Sequence, residues 1–246
     1  MRSRRQIEIA SSYWEGRMKA LTIRDLLEGK GKTCRSFVQV TNADEVRAAA
    51  AAGVEIIGTA HIDGRKHLPK EAPNTHFQFG LPWGSNVNAD QALRAAFDAI
   101  ADGGTSIYCA MSPSVIEVMA REGIPVIGHA GLVPPTSTWT GGFKAVGKTL
   151  TQAQDVWQKV KDLENAGAYA VELEVVPHQL ASEISRRTSL FTISLGSGNG
   201  CDAQYLFSAD IFGLAPRVPR HGKVYHDFSE ELRNPASKAD RRLYRL

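Results

Sequence analysis

The sequence predicts an α/β fold, a closed (β/α)8 barrel. Three observations predict it. Short β-branched or apolar runs alternate with Ala-rich helical runs, glycine marks many of the joints, and 246 residues is a length such barrels commonly take as one domain. Seven strands are visible, so one of the eight units is weak. A doubly wound open sheet is the alternative, and the absence of a GxGxxG pattern weakens its dinucleotide-binding version.

SFVQVT (36–41) reads as the first strand, and NADEVRAAAAAG (42–53) as a helix with Asn42 at its N-cap, Glu45 three residues on and Gly53 at its stop. VEIIGTA (54–60) is the second strand. HIDGRKHLPKEAPNT (61–75) is Pro-rich and weakly helical, so the second helix is short or missing. HFQFGLP (76–82) is the third strand, and NADQALRAAFDAIADGG (88–104) repeats the capped-helix pattern. SIYCA (106–110) leads to SPSVIEVMAREG (112–123), which carries Pro in its first turn. PVIGHA (125–130) runs into GHAGLVPPTSTWTGGFKAVGK (128–148), whose Gly, Pro, Thr and Lys content suits neither helix nor strand. TLTQAQDVWQKVKDLENAG (149–167) is a helix, AVELEVV (170–176) a strand, PHQLASEISRRT (177–188) a helix and LFTISLG (190–196) the seventh strand. A Gly-rich turn and a short helix through 201–213 follow. Residues 1–17 are read as a flexible N-terminal extension, 18–228 as a single barrel domain, and 229–246 as a polar, helix-prone tail.

The composition narrows the class of function. Apolar residues make up 43% and charged residues 22%, an ordinary globular balance, and a net charge of +3 is too small to argue for nucleic acid. No apolar run reaches the roughly 20 residues that span a bilayer, and no apolar segment follows the basic N-terminus as in a secretory signal. Cys34, Cys109 and Cys201 are widely spaced and form neither a CxxC pair nor a disulfide framework, so a reducing cytoplasm is expected. The expected partner is a small carboxylate substrate, without nucleic acid or membrane.

In a barrel, chemistry sits at the C-terminal strand ends and the loops beyond them. That rule selects Asn42, His61, Gly80, Cys109, Met111, His129, Glu174 and the Ser194–Ser197 turn. A carboxyl group in an apolar run such as AVELEVV is rarely buried without purpose, and in a dry pocket its raised pKa suits acid–base work. Glu172 shares a strand face with Glu174 and can serve as its partner, while an ion pair with a nearby Arg or Lys is the structural alternative. His129, where strand gives way to loop, either handles substrate or pins the loop. Lys144 and Lys148 in that loop can meet an anion or stand solvated. SLGSGNG (194–200), with Ser194 and Ser197, offers backbone N–H groups to a carboxylate.

GIPVIGHAGLVP (123–134) with GGFKAVGK (141–148), ENAGAYAVELEVVPHQLASEIS (164–185) and TISLGSGNGCDAQYLFSADIFGL (192–214) carry a resemblance to the ketopantoate hydroxymethyltransferase family, of the phosphoenolpyruvate mutase/isocitrate lyase group of barrels. The similarity runs from about 18 to about 214. It implies transfer of a one-carbon unit from methylenetetrahydrofolate to 2-oxoisovalerate, and homo-oligomers. It also implies a Mg²⁺ ion held by two Asp and a Glu, a Lys and a Ser on the substrate carboxylate, and a Glu that moves a proton beside the ketone. His129 and Glu174 match the family's His and catalytic Glu.

The first half of the chain departs from that pattern. The family's Gly-Asp-Ser becomes Ala60-His61-Ile62, its second metal Asp becomes Gly80, its Lys-Leu-Glu becomes Cys109-Ala110-Met111, and its Tyr-Asp becomes Thr41-Asn42. His, Gly and Met do not replace the oxygen ligands of Mg²⁺. The sequence therefore predicts no certain cofactor, a lost Mg²⁺ site, and methylenetetrahydrofolate only where the family reaction is retained. The expected enzyme is a transferase or lyase that forms or breaks a C–C bond next to a 2-oxo group, with Glu174 as acid/base and His129, Asn42, Lys144, Ser194 and Ser197 around the substrate. Two alternatives stand beside it. In one, Cys109 is a thiolate nucleophile with His61 as partner, or both hold a softer metal; in the other, the chain is a binding paralogue without catalysis. Cys109 also reads as an inert buried thiol.

Overall fold

The structure, a computed structural model, describes residues 20–231. The predicted extension 1–17 and the end of the tail lie outside the described residues. Eight parallel strands close in sequence order: β1 (Arg35–Gln39), β2 (Ile56–Ala60), β3 (His76–Gly80), β4 (Ser106–Tyr108), β5 (Val126–Gly131), β6 (Ala170–Glu174), β7 (Phe191–Leu195) and β8 (Ala203–Phe207). Helices α1 (Ile23–Gly29), α2 (Ala43–Ala51), α3 (Ala89–Ala101), α4 (Pro113–Arg121), α5 (Leu150–Asn165), α6 (His178–Arg187) and α7 (Ser208–Ile211) accompany them.

The helix starts follow from their first residues. The side chains of Asn42, Asn88 and Thr149 accept hydrogen bonds from the N–H groups of Glu45, Gln91 and Gln152. Each such cap is worth about 1 kcal/mol. The outward side chains of the strands meet the helices in a continuous apolar layer, including Ile57, Phe79 and Ile107 from the barrel wall and Val46, Ile116, Met119 and Leu163 from the helices. Gly128 makes close packing possible there, because a Cβ at that position would lie 2.6 Å from a Leu163 methyl.

Two expectations change. The eighth strand is Ala203–Phe207, within the stretch that the sequence assigns to a turn and a short helix. Its pairing with β7, Ile193 to Ala203 and Ser194 to Gln204, supplies the partner that barrel closure demands and that local propensity does not reveal. Helix α7 is confined to Ser208–Ile211. The weak second unit is a 3-10 turn, Leu68–Glu71, in place of a helix. The long loop after β5 contains a 3-10 stretch, Pro134–Thr140, and then turns at Gly141, whose φ is 70°.

The chain divides between Tyr205 and Leu206 into two compact units. In the second, Phe212 and Phe228 meet edge-on with centroids 5.5 Å apart. Among the described residues no helix is long and apolar enough to cross a membrane.

Candidate active site

Strand alternation sorts the candidate residues into two sets. Ala60, Gly80 and Tyr108 stand in register on β2, β3 and β4, and His129 and Glu172 on β5 and β6. Inside the barrel these faces meet. Gln78 Nε2 on β3 donates to Glu172 Oε1 on β6 at 3.3 Å, a contact that crosses the lumen between strands that are not neighbours. On the far side the Tyr205 hydroxyl donates to Gln39 Oε1 at 3.0 Å, and its ring stacks on Phe37.

At the centre is His129, 3% exposed. Its Nε2 lies 2.7 Å from the Leu132 carbonyl oxygen, which only accepts, so Nε2 carries a hydrogen. Its Nδ1 lies 2.9 Å from the Tyr108 hydroxyl. The Glu172 and Glu174 carboxylates approach the two ring nitrogens at 3.7 Å and 3.6 Å. Burial works to lower the histidine pKa; the two carboxylates and the Leu132 carbonyl outweigh it and raise it above 6.5. Burial first, then the Glu172 charge, pushes Glu174 up to about 7 against the opposing pull of His129.

The backbone holds Glu174 firmly. Its carbonyl accepts from Leu132 N–H at 2.9 Å, and the next N–H, of Val175, donates to Leu195 O at 2.8 Å. Gly131 crosses so closely, at φ 97°, that a Cβ there would sit 2.3 Å from Glu174 O. Val175 itself has φ 49°, a left-handed conformation rare for a β-branched residue, and this turn ends β6 directly after the carboxyl group.

The other predicted residues stand elsewhere. Cys109 has the parity opposite to Tyr108; its side chain belongs to the apolar layer under the helices, 1% exposed, and burial raises its thiol pKa. His61 turns onto Phe79 on the same outer side and pairs with Asp102 at 2.8 Å. It lines a cleft of about 410 Å³ with Asp63, Lys66, Asn86 and Asp98, apart from the Glu174 cluster. The structure does not bring His61, Cys109 and Glu174 together. Asn42 is occupied in capping α2, its oxygen accepting from Glu45 N and its amide donating to Glu45 Oε1. Ser197 donates to Leu173 O and accepts from Val176 N, and Ser194 accepts from Ser197 N. Both serines therefore brace the end of β6. Lys144 is exposed in the loop after β5, which is tied to β6 by the bond from Val146 N–H to Val175 O.

Tyr108, Gln78 and Tyr205 escaped the sequence reading. Their signal was the alternation that marks Glu174 and His129 as inward, carried across neighbouring strands. Gln78 Oε1 is buried and has no hydrogen-bond partner among the described residues.

The metal positions implied by the resemblance do not fit Mg²⁺. His61 faces outward, Gly80 has no side chain, and Met111 packs against the outer apolar layer. Among the described residues no group of three or more His, Cys, Asp or Glu is arranged to hold a metal ion. A hard cation needs oxygen donors at those positions.

The family profile described as ketopantoate hydroxymethyltransferase matches residues 62–240. A 3-methyl-2-oxobutanoate hydroxymethyltransferase of Pyrobaculum islandicum is 39% identical over 199 residues, covering 81% of this chain and 72% of that protein. One of Thermus thermophilus is 32% identical over 244 residues, covering 88% and 92%. One of Caldivirga maquilingensis is 29% identical over 249 residues, covering 89% and 92%. Among solved structures, 2,3-dimethylmalate lyase, a phosphoenolpyruvate mutase/isocitrate lyase superfamily member, superposes with a TM-score of 0.62 at 12% identity over 90% of this chain and 88% of that one. Oxaloacetate acetylhydrolase superposes at 0.58 with 10% identity over 78% and 80%. These two likenesses concern the fold. By the profile and the sequence relatives together, the chain belongs to the ketopantoate hydroxymethyltransferase family, a family of transferases.

Proposed function

We propose that this chain acts on a small 2-oxo acid, 3-methyl-2-oxobutanoate being the substrate in its relatives' names, and that Glu174 is the acid/base that moves a proton at the carbon next to the ketone. The observation that carries the reading is the Glu174 carboxyl itself, inward, 8% exposed and held up to about 7. A base near the working pH combines adequate basicity with a large ionised fraction. Removal of the C3 proton sends its electron pair through the C2–C3 bond onto the oxo oxygen; the resulting enolate carbon then attacks a one-carbon electrophile. Methylenetetrahydrofolate supplies that unit where the family reaction is retained.

The same reading dispenses with Mg²⁺, on the ground of the donor chemistry at His61, Gly80 and Met111. Deuterium exchange at C3 of 3-methyl-2-oxobutanoate, followed by proton NMR in D₂O, tests it. The expected result is exchange by the unaltered enzyme and none by Glu174→Gln. No exchange with or without added Mg²⁺ rules out this substrate.

A further inference from the structure

An enolate needs a partner for its oxygen. In the absence of a fitting metal site, that partner has to come from the lumen itself. Tyr108 is the inward residue at the C-terminal end of β4, level with Ala60 and Gly80, which offer no polar side chain. Its ring edge lies beside Gly80, with Cδ1 at 3.5 Å from where a Cβ would stand, an ordinary packing contact. The hydroxyl at the end of that ring touches one edge of His129, and the Glu174 carboxylate stands at the other edge.

We propose, building on the reading of Glu174 as the base, that the Tyr108 hydroxyl, oriented by His129, donates the hydrogen bond that holds the substrate's oxo oxygen while it becomes an enolate. The direction of the Tyr108–His129 bond makes this possible. His129 Nε2–H is committed to Leu132 O. When the ring is neutral, Nδ1 is an acceptor and takes the phenolic proton. When the ring is a cation, Nδ1–H donates to the phenol oxygen and the phenolic proton is free to turn to a ligand. The groups facing the ring are Tyr108 from β4, Glu172 and Glu174 from β6, and the Leu132 carbonyl; both carboxylates favour the cation. Burial, with the Glu172 and Glu174 charges, raises Tyr108 well above 10, so the phenol keeps the proton it donates.

Two nearby donors are already engaged. Gln78 Nε2 binds Glu172 and the Tyr205 hydroxyl binds Gln39. The proposed step balances without a further reagent: the C3 proton passes to Glu174, the electron pair reaches the oxo oxygen, and Tyr108 shares but keeps its proton. Reprotonation from Glu174 in D₂O returns deuterium to C3.

The test is C3 exchange of 3-methyl-2-oxobutanoate by the full chain, for the unaltered protein with and without EDTA, Tyr108→Phe and Glu174→Gln. Tyr108→Phe keeps the ring beside Gly80, and its melting temperature checks folding. Exchange should persist in EDTA, Tyr108→Phe should lose about a hundredfold in maximal rate with little change in half-saturation, and Glu174→Gln should be inactive. Rates within threefold for folded Tyr108→Phe, beside an inactive Glu174→Gln, overturn the role of Tyr108 alone. Exchange that requires added Mg²⁺ overturns it as well, and this result is read on the unaltered protein even where Tyr108→Phe does not fold. Undiminished exchange by Glu174→Gln removes the base and this inference with it.

Discussion

Glu174 Oε2 lies 3.6 Å from His129 Nε2, yet that nitrogen spends its hydrogen on Leu132 O at 2.7 Å. The carboxylate therefore feels the histidine through space and gains no hydrogen bond from it, which is why burial prevails and the group sits at about 7 instead of 4.5. The folded-state value lies above the unfolded one. The protonated form is thus favoured by folding, and the contribution is full below 4.5 and lost as pH rises through 7. Above that range the ionised carboxyl weakens the fold by up to about 3 kcal/mol. Glu174→Gln removes the charge and keeps the shape. Its melting temperature should exceed that of the unaltered protein at about pH 8.5, with the gap closing towards pH 4.5. A gap independent of pH would count against the assignment.

The rate of C3 exchange should be bell-shaped in pH. The acid limb follows ionisation of Glu174 near 7, and the alkaline limb follows loss of the His129 proton, above 6.5. Glu172→Gln takes away one of the two carboxylates that hold His129 charged, so its alkaline limb should move to lower pH. Initial rates from about pH 5 to about pH 10 measure both limbs. An alkaline limb that stays in place in Glu172→Gln means that His129 does not set it.

The sequence carried most of the barrel because several units repeat a local code: an Asn or Thr cap, a helical run, a glycine, a β-branched or apolar run. AQYLF lacked that code, since only its pairing with Ile193 and Ser194 makes it a strand. Glu174 and His129 were legible as polar residues in apolar strand ends. Tyr108 was not, because SIYCA reads equally well with Cys109 inward. The pairing of Gly80 with Tyr108, a relation between strands 28 residues apart, decides which of the two faces the lumen.

That parity makes a prediction for the thiols. Cys109 and Cys201 are 1% and 5% exposed, and burial raises both, Cys201 to about 12; Cys34 is exposed. Of the three thiols, Cys34 alone should react promptly with a disulfide reagent in the native protein, and all three should react after denaturation. Cys109→Ala should cost about 1 kcal/mol of stability and leave exchange unchanged. A folded Cys109→Ala protein without activity would reinstate the thiol as part of the chemistry.

The turn that ends β6 carries the last prediction. Val175 adopts φ 49° while its N–H and carbonyl are both bound, to Leu195 O and from Val146 N–H. Those bonds, with Leu132 N–H on Glu174 O, hold a conformation that an L-residue enters at about 1–2 kcal/mol. Glycine has no such cost there but loses about 1 kcal/mol in chain entropy and gives up a half-buried side chain. The two effects nearly cancel, so Val175→Gly should shift stability by less than about 1 kcal/mol. Val171→Gly, in the fully buried middle of the same strand with ordinary backbone, should cost several times more, about 3 kcal/mol or above. Urea midpoints of the two variants give the comparison. Equal losses would show that Val175 is not strained, whereas a stable Val175→Gly with slower C3 exchange would show that the strained turn serves to aim Glu174 into the lumen.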